Sequence, residues 1–199
     1  MERRQFVHSL SLGLVAGAMA PSHAKGAPVA PGSVGNVSAN VGPAGPLVVR
    51  AGADRFEEDV RLGGVSPNRL KISAVDTAGT LAVFEFESVG EGGPSLHVHH
   101  QQDEWFFVRE GSYLFRVGDI EHRLGPGDSI FAPRGIPHVW AHADAGLGRL
   151  LYLVEPAGLM ESFFRASAAF HGRRTAEENQ RFHEAHGMTW LGPGLYHPG

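Results

Sequence analysis

The chain has 199 residues, enough for one ordinary domain with extensions. A hydrophobic fraction of 42% supports a real core, and a formal charge of -4 without a lysine–arginine stripe gives nucleic-acid binding no electrostatic support. With no cysteine there are no disulfides, thiolate metal sites or cysteine nucleophiles, so any metal site must use imidazole and carboxylate, and the chain has 12 histidines.

At the N-terminus, Arg3-Arg4-Gln5-Phe6-Val7 precedes a short apolar Gly/Ala-rich run over about 10–20. A basic start, an apolar run and a small-residue exit predict an export signal at 1–24. Ser22-His23-Ala24 is the better cleavage site, because Pro21 obstructs cutting after Ala18-Met19-Ala20. The run is shorter than the ~20 apolar residues of a membrane span, so no stable membrane insertion is expected after cleavage. Arg3-Arg4-x-Phe6-Val7 resembles the twin-arginine export signal, which implies export in the folded state and a periplasmic location. Residues 25–46, rich in Gly, Ala, Pro, Val, Ser and Asn without a period, read as a flexible linker.

The folded domain is expected at 47–166. From Leu70 onward the apolar period is close to two, which predicts strands at 70–75, 80–87, 95–100, 104–109, 112–117, 120–124, 129–132, 138–142 and 149–154. Gly79, Gly111, Gly125-Pro126-Gly127-Asp128 and Pro133-Arg134-Gly135 separate them, and Val117-Gly118-Asp119-Ile120 reads as a two-residue hairpin turn. Many short strands predict an all-β sandwich or barrel. Over 156–170 the period changes: Leu159, Met160, Phe163, Phe164, Ala166 and Phe170 fit one helix face. Thr175-Ala-Glu-Glu178 is a capping-box pattern for a second helix, which Gly187 is placed to end. Residues 167–199 are thus expected to be a helical tail that serves for packing.

His97-Val98-His99 puts two imidazoles at i and i+2, on one face of a strand and ~7 Å apart at Cα. Both can reach one ion at ~2.1 Å. A short loop over 100–103 can return the Glu104 carboxylate to that ion, and His138 lies beyond the Pro133-x-Gly135 turn on a strand that a barrel folds alongside the first. Three imidazoles and one carboxylate leave coordination positions open, the mark of a working rather than a structural metal site. His100 alternates to the opposite face. His183 and His186 are three apart, not the four of H-E-x-x-H, and are expected to be solvated helix residues. Trp105, Phe106, Phe107, Tyr113, Phe115, Phe131 and Trp140 are expected mostly in the core, and either half of each alternating set can line a pocket.

His97-x-His99-x4-Glu104-x6-Gly111 resembles the first motif of the cupin family, and Gly127-x5-Pro133-x-Gly135-x2-His138 the second. Two positions depart from the pattern: the leading glycine falls on Glu91, between Gly90 and Gly92, and the closing Asn is His142. The resemblance spans about 70–156. It implies a jelly-roll β-barrel with a C-terminal helical extension, and His97, His99, Glu104 and His138 as ligands of one divalent transition metal: Fe, Mn, Ni, Co, Cu or Zn. More narrowly, the stretch from His97 to Val108 and the tail from Ala185 to Pro193 resemble small bacterial cupins grouped with quercetin 2,3-dioxygenases. That subgroup implies a small aromatic or hydroxylated substrate and dioxygen as reaction partners, with Glu104 as ligand and catalytic base. The family also contains isomerases and ligand-binding proteins, so a non-oxidative metal-binding cupin is the alternative. Pairing as a homodimer through barrel faces is a further expectation of the family.

Overall fold

The computed structural model describes residues 46–195. The expected export signal, the linker up to its last residue, and positions 196–199 lie outside the described residues. No helix among the described residues is long and apolar enough to cross a membrane.

Among the described residues, eleven strands and two helices follow one another. Six strands, β1 (Arg61–Leu62), β2 (Ser66–Ile72), β3 (Ala82–Val89), β5 (Asp103–Glu110), β8 (Ser129–Ala132) and β10 (Leu147–Glu155), form one sheet in the order β1-β2-β3-β10-β5-β8. The other five, β4 (Leu96–His99), β6 (Tyr113–Val117), β7 (Ile120–Leu124), β9 (His138–His142) and β11 (Met188–Gly192), form the second in the order β11-β4-β9-β6-β7. The helices are α1 (Met160–Ala169) and α2 (Ala176–Glu184). All pairings are antiparallel, and the two-sheet jelly-roll architecture is the one expected.

Alternation along the strands supplies the core. On β5, Glu104, Phe106 and Val108 are buried while Trp105 and Phe107 are only partly so; on β10, Leu150, Tyr152 and Val154 are buried. Phe84 stacks on Tyr152 at 5.2 Å, and Phe86 meets Trp140 edge-on at 5.2 Å. Each large apolar side chain so buried contributes roughly 1.5–3 kcal/mol. Of the aromatics expected inside, Phe131 is 55% exposed, because it pairs with outward-facing Trp105 across β5 and β8. The β6–β7 hairpin closes as expected, with Val117 opposite Ile120 and Gly118 at φ 59.

His142, in place of the motif Asn, is fully buried and needs two glycines to fit. A Cβ on Gly148 would stand 2.6 Å from its Cδ2, and one on Gly111 would stand 2.8 Å from its Nε2.

The C-terminal part departs from the expected helical tail. The proposed boundary at 166/167 falls inside α1, whose Phe164 packs on Phe84 and Tyr152 at 5.0 and 5.9 Å. Leu159 and Phe170, expected on its apolar face, are 53% and 40% exposed at its two ends. The capping box forms: Glu178 N–H donates to Thr175 Oγ1 at 3.2 Å, and Thr175 N–H donates to Glu178 Oε2 at 2.8 Å. Beyond α2 the chain forms a strand, β11, that pairs with β4. Its alternation covers only five residues, too few to stand out beside the helical pattern before it.

Replacing the fully buried Leu150 by Ala should cost about 2–5 kcal/mol in urea denaturation. Leu191→Ala, at a position 44% exposed, should change stability by about 0.5 kcal/mol or less.

Candidate metal centre

The four expected ligands come together from both sheets. His97 and His99 point inward from β4, and His138, the first residue of β9, pairs directly with His97. Glu104 faces them from β5 in the other sheet, with fully buried Ala132 and Val154 opposite it on the neighbouring strands. The crossing between sheets takes only residues 100–102, the short loop expected. His97, His99, Glu104 and His138 are 8%, 0%, 4% and 2% exposed, and one candidate ligand atom from each lies within 4.8 Å of all the others. Donors sharing an ion at ~2.1 Å stand at most about 4.2 Å apart, so the set needs only sub-ångström contraction to close on one.

The outward nitrogens are all occupied. His97 Nδ1–H donates to the Ser95 carbonyl at 2.8 Å, and His138 Nδ1–H donates to the Ile136 carbonyl at 3.1 Å. His99 Nδ1–H donates to Gln102 Oε1 at 3.1 Å. These partners only accept, so Nδ1 carries the proton and, in each neutral ring, Nε2 presents a lone pair to the centre. His99 Nε2 is buried with no hydrogen-bond partner, 3.7 Å from Glu104 Oε2. His138 Nε2 lies 2.9 Å from that same oxygen. Lone pairs and a carboxylate facing one another in a buried site require a cation or a proton between them, and the cluster fits a metal site.

Charges agree with this arrangement. Burial holds His97 well below the usual imidazole range and lowers His99 as well. Burial also opposes a charge on His138, but the hydrogen bond to Glu104 and its negative charge outweigh that and raise it. Burial works to raise Glu104, yet the charge of His99 and the hydrogen bond and charge of His138 hold its carboxyl down at about 2. In the absence of metal, the His138 proton stands in for the cation.

Two residues with a place at this centre are not apparent from the sequence. Gln102, 4% exposed, accepts from His99 and donates to the carbonyls of Pro156 and Ala157 at 3.0 and 2.8 Å, so its amide is fully used in orienting the ring. A Cβ on Gly158 would stand 2.6 Å from the Gln102 Nε2. His183, expected to be solvated, is instead 5% exposed, with its ring centroid 6.1 Å from that of His97. The signal for it is Asn179, Phe182 and His183 on α2, continued by His186 just past its end at the same helical spacing. His100 is exposed as expected and meets Thr189 Oγ1 at 2.8 Å.

Residues 83–154 match a protein-family model described as the cupin domain. The matched span is a cupin domain. All four candidate ligands fall within the matched span. The fold is similar to KdgF from Halomonas sp., at 21% identity and TM-score 0.42, over 50% of this chain and 84% of that one. It is also similar to an RmlC-like cupin from Shewanella frigidimarina, at 22% and 0.43 over 50% and 84%. A third similarity is to oxalate decarboxylase from Bacillus subtilis, at 20% and 0.41 over 46% and 25%. A comparison with curated proteins found no match.

Two outcomes are expected of this centre. A metal has to displace the His138 proton, and raising the pKa of that ring moves the competition upward. Affinity for zinc or cobalt should therefore fall about tenfold per pH unit below the raised pKa, starting above the usual ~6.5, and falling more steeply once His99 and His97 protonate. Calorimetric titration between pH 5 and 8 checks this, with about one proton released per ion on the acid side. Gln102→Ala should weaken metal binding about 10- to 100-fold by freeing the His99 ring, read by competition with a chromophoric chelator.

Proposed function

We propose that this chain is a metal-dependent oxidoreductase of dioxygenase type acting on a small, aromatic, hydroxylated compound. One observation carries the reading: three imidazoles held to present only Nε2 meet a carboxylate in a buried interior walled by aromatic rings. Phe106 stands 6.4 Å from His138 and 5.1 Å from Phe115, and Tyr152 and Trp140 continue the wall. Such a wall suits a flat, apolar ligand with a few polar groups.

His97, His99, Glu104 and His138 would hold the divalent ion, which supplies Lewis acidity and open positions for substrate oxygen and dioxygen. Glu104 offers two oxygens, so one can serve the ion while the other accepts the substrate hydroxyl proton. At about 2 its carboxyl is a weak base. Loss of the His138 proton removes part of what stabilises the anion and makes Glu104 more basic. Burial of all four groups keeps bulk water away from the transfer. Arg3-Arg4 ahead of the apolar run supports export of the protein already folded and loaded.

The test is oxygen consumption by protein reconstituted with each candidate ion, across a flavonol and catechol panel. Uptake with a redox-active ion is expected, and Glu104→Gln should lower kcat/KM about 10²- to 10⁴-fold. His99→Ala should lose the metal, read by elemental analysis. A protein that retains zinc and consumes no oxygen with any ion would be a non-oxidative cupin, an isomerase or a ligand-binding protein.

A further inference from the structure

The segment after α1 brings polar groups alongside β4, the strand that carries two of the four candidate ligands. β11 runs along β4 with Met188 opposite His99 and Trp190 opposite His97. Residues opposite each other in an antiparallel ladder project to the same face. Met188 and Trp190 therefore stand on the face of the imidazoles, and Thr189 stands on the other, where it meets His100. Met188 is fully buried in the core. Trp190 brings an indole N–H whose Nε1 is buried and has no hydrogen-bond partner, a state costly to leave unmade.

α2 packs on β11 and brings the complementary group. His183 Nδ1–H donates to the Asn179 carbonyl at 2.8 Å, which leaves Nε2 as an acceptor. Its contact is the Ser95 hydroxyl at 3.5 Å, the outer limit of a hydrogen bond. The ring is held edge-on against Phe163 and Phe182 at 5.4 and 5.9 Å, with His97 on a further side at 6.1 Å. The residue opposite His97 on β11 thus carries an unpaired donor, and the ring beside His97 on α2 carries a nearly unpaired acceptor. A hydroxyl group both accepts and donates, so it can serve both, whereas a carbonyl or ether oxygen can serve only the indole.

We propose that Trp190 and His183 form the ligand-recognition wall of the metal centre: the indole N–H donates to, and the imidazole Nε2 accepts from, a hydroxyl on the carbon next to the oxygen that faces the ion. The inference rests on the metal-centre reading above and narrows its substrate class to compounds with vicinal oxygens, of which at least one is a free hydroxyl. Both residues are specificity determinants supplied from outside the strands that carry the ligands.

The full chain loaded with cobalt(II), whose visible bands report a ligand entering its coordination sphere, is titrated with catechol and with phenol, which lacks the second hydroxyl. Wild type should prefer catechol. His183→Ala and Trp190→Phe should each weaken catechol about tenfold, with cobalt content and phenol affinity unchanged. His183→Gln, which keeps an acceptor, should restore part of the loss. Wild-type catechol affinity in both variants overturns the proposal, as does an equal loss for catechol and phenol, or bands in wild type that respond to neither. If His183→Ala fails to fold, Trp190→Phe decides alone, since it removes the N–H and keeps an aromatic ring. Oxygen uptake is not read, so catechol binding through these residues without turnover upholds the recognition wall and removes only the oxygenase reading.

Discussion

A carboxylate on one sheet facing three imidazoles on the other is the interaction around which the rest of the structure is arranged. A buried charge is tolerated only when paired, so Glu104 ties the inner face of β5 to the inner faces of β4 and β9. Its neighbours across the ladder are apolar Ala132 and Val154, which offer it no hydrogen bond and leave the histidines as its partners. A slip of one residue in β5 would turn Glu104 to the outer face and bring Trp105 or Asp103 inside. The metal centre and the register of the large sheet are therefore one constraint.

The tautomers are set mostly by the backbone. His97 and His138 each donate from Nδ1 to a carbonyl two residues earlier, at Ser95 and Ile136, so local chain geometry alone fixes which nitrogen faces the centre. His99 differs in using a side chain, Gln102, which is itself held by the carbonyls at Pro156 and Ala157. That amide links the ligand strand to the turn between β10 and α1. The orientation of one ligand thus depends on a junction 54 and 55 residues beyond Gln102.

How much of this was legible in the sequence follows from how local each feature is. β7, β8 and β9 lie where turn residues bracket them, and the hairpin at Gly118-Asp119 was readable because two residues and a positive φ define it. The start of β2 was not readable, since Pro67, Asn68 and Arg69 break the apolar alternation; Asn68 is buried there because it accepts from the Tyr152 hydroxyl at 2.7 Å. The four candidate ligands were legible from their spacing together with the cupin pattern. Gln102 was not, because its role depends on carbonyls distant in sequence. His183 was misread as solvated, because the cover that buries it comes from Phe163 on another helix and from Ser95, 88 residues away.

The same distance in sequence marks where this chain's individuality resides. The family match ends at 154, but β4, the strand carrying two of the four candidate ligands, has a single residue pair with β9 and four with β11. A four-residue strand paired at one position is weakly held, so β11 is the main scaffold of His97 and His99. Removing that scaffold would loosen the ligand strand and at the same stroke remove the indole and the strand on which α2 packs its imidazole. Scaffold and recognition are thus carried by one segment, and a change in β11 that alters what the centre binds must also preserve the strand that builds it. That coupling limits how freely the specificity of this domain can change: Trp190 can be exchanged for another ring at the same inward position, whereas a shift of one residue along β11 would move the whole ladder with His97 and His99.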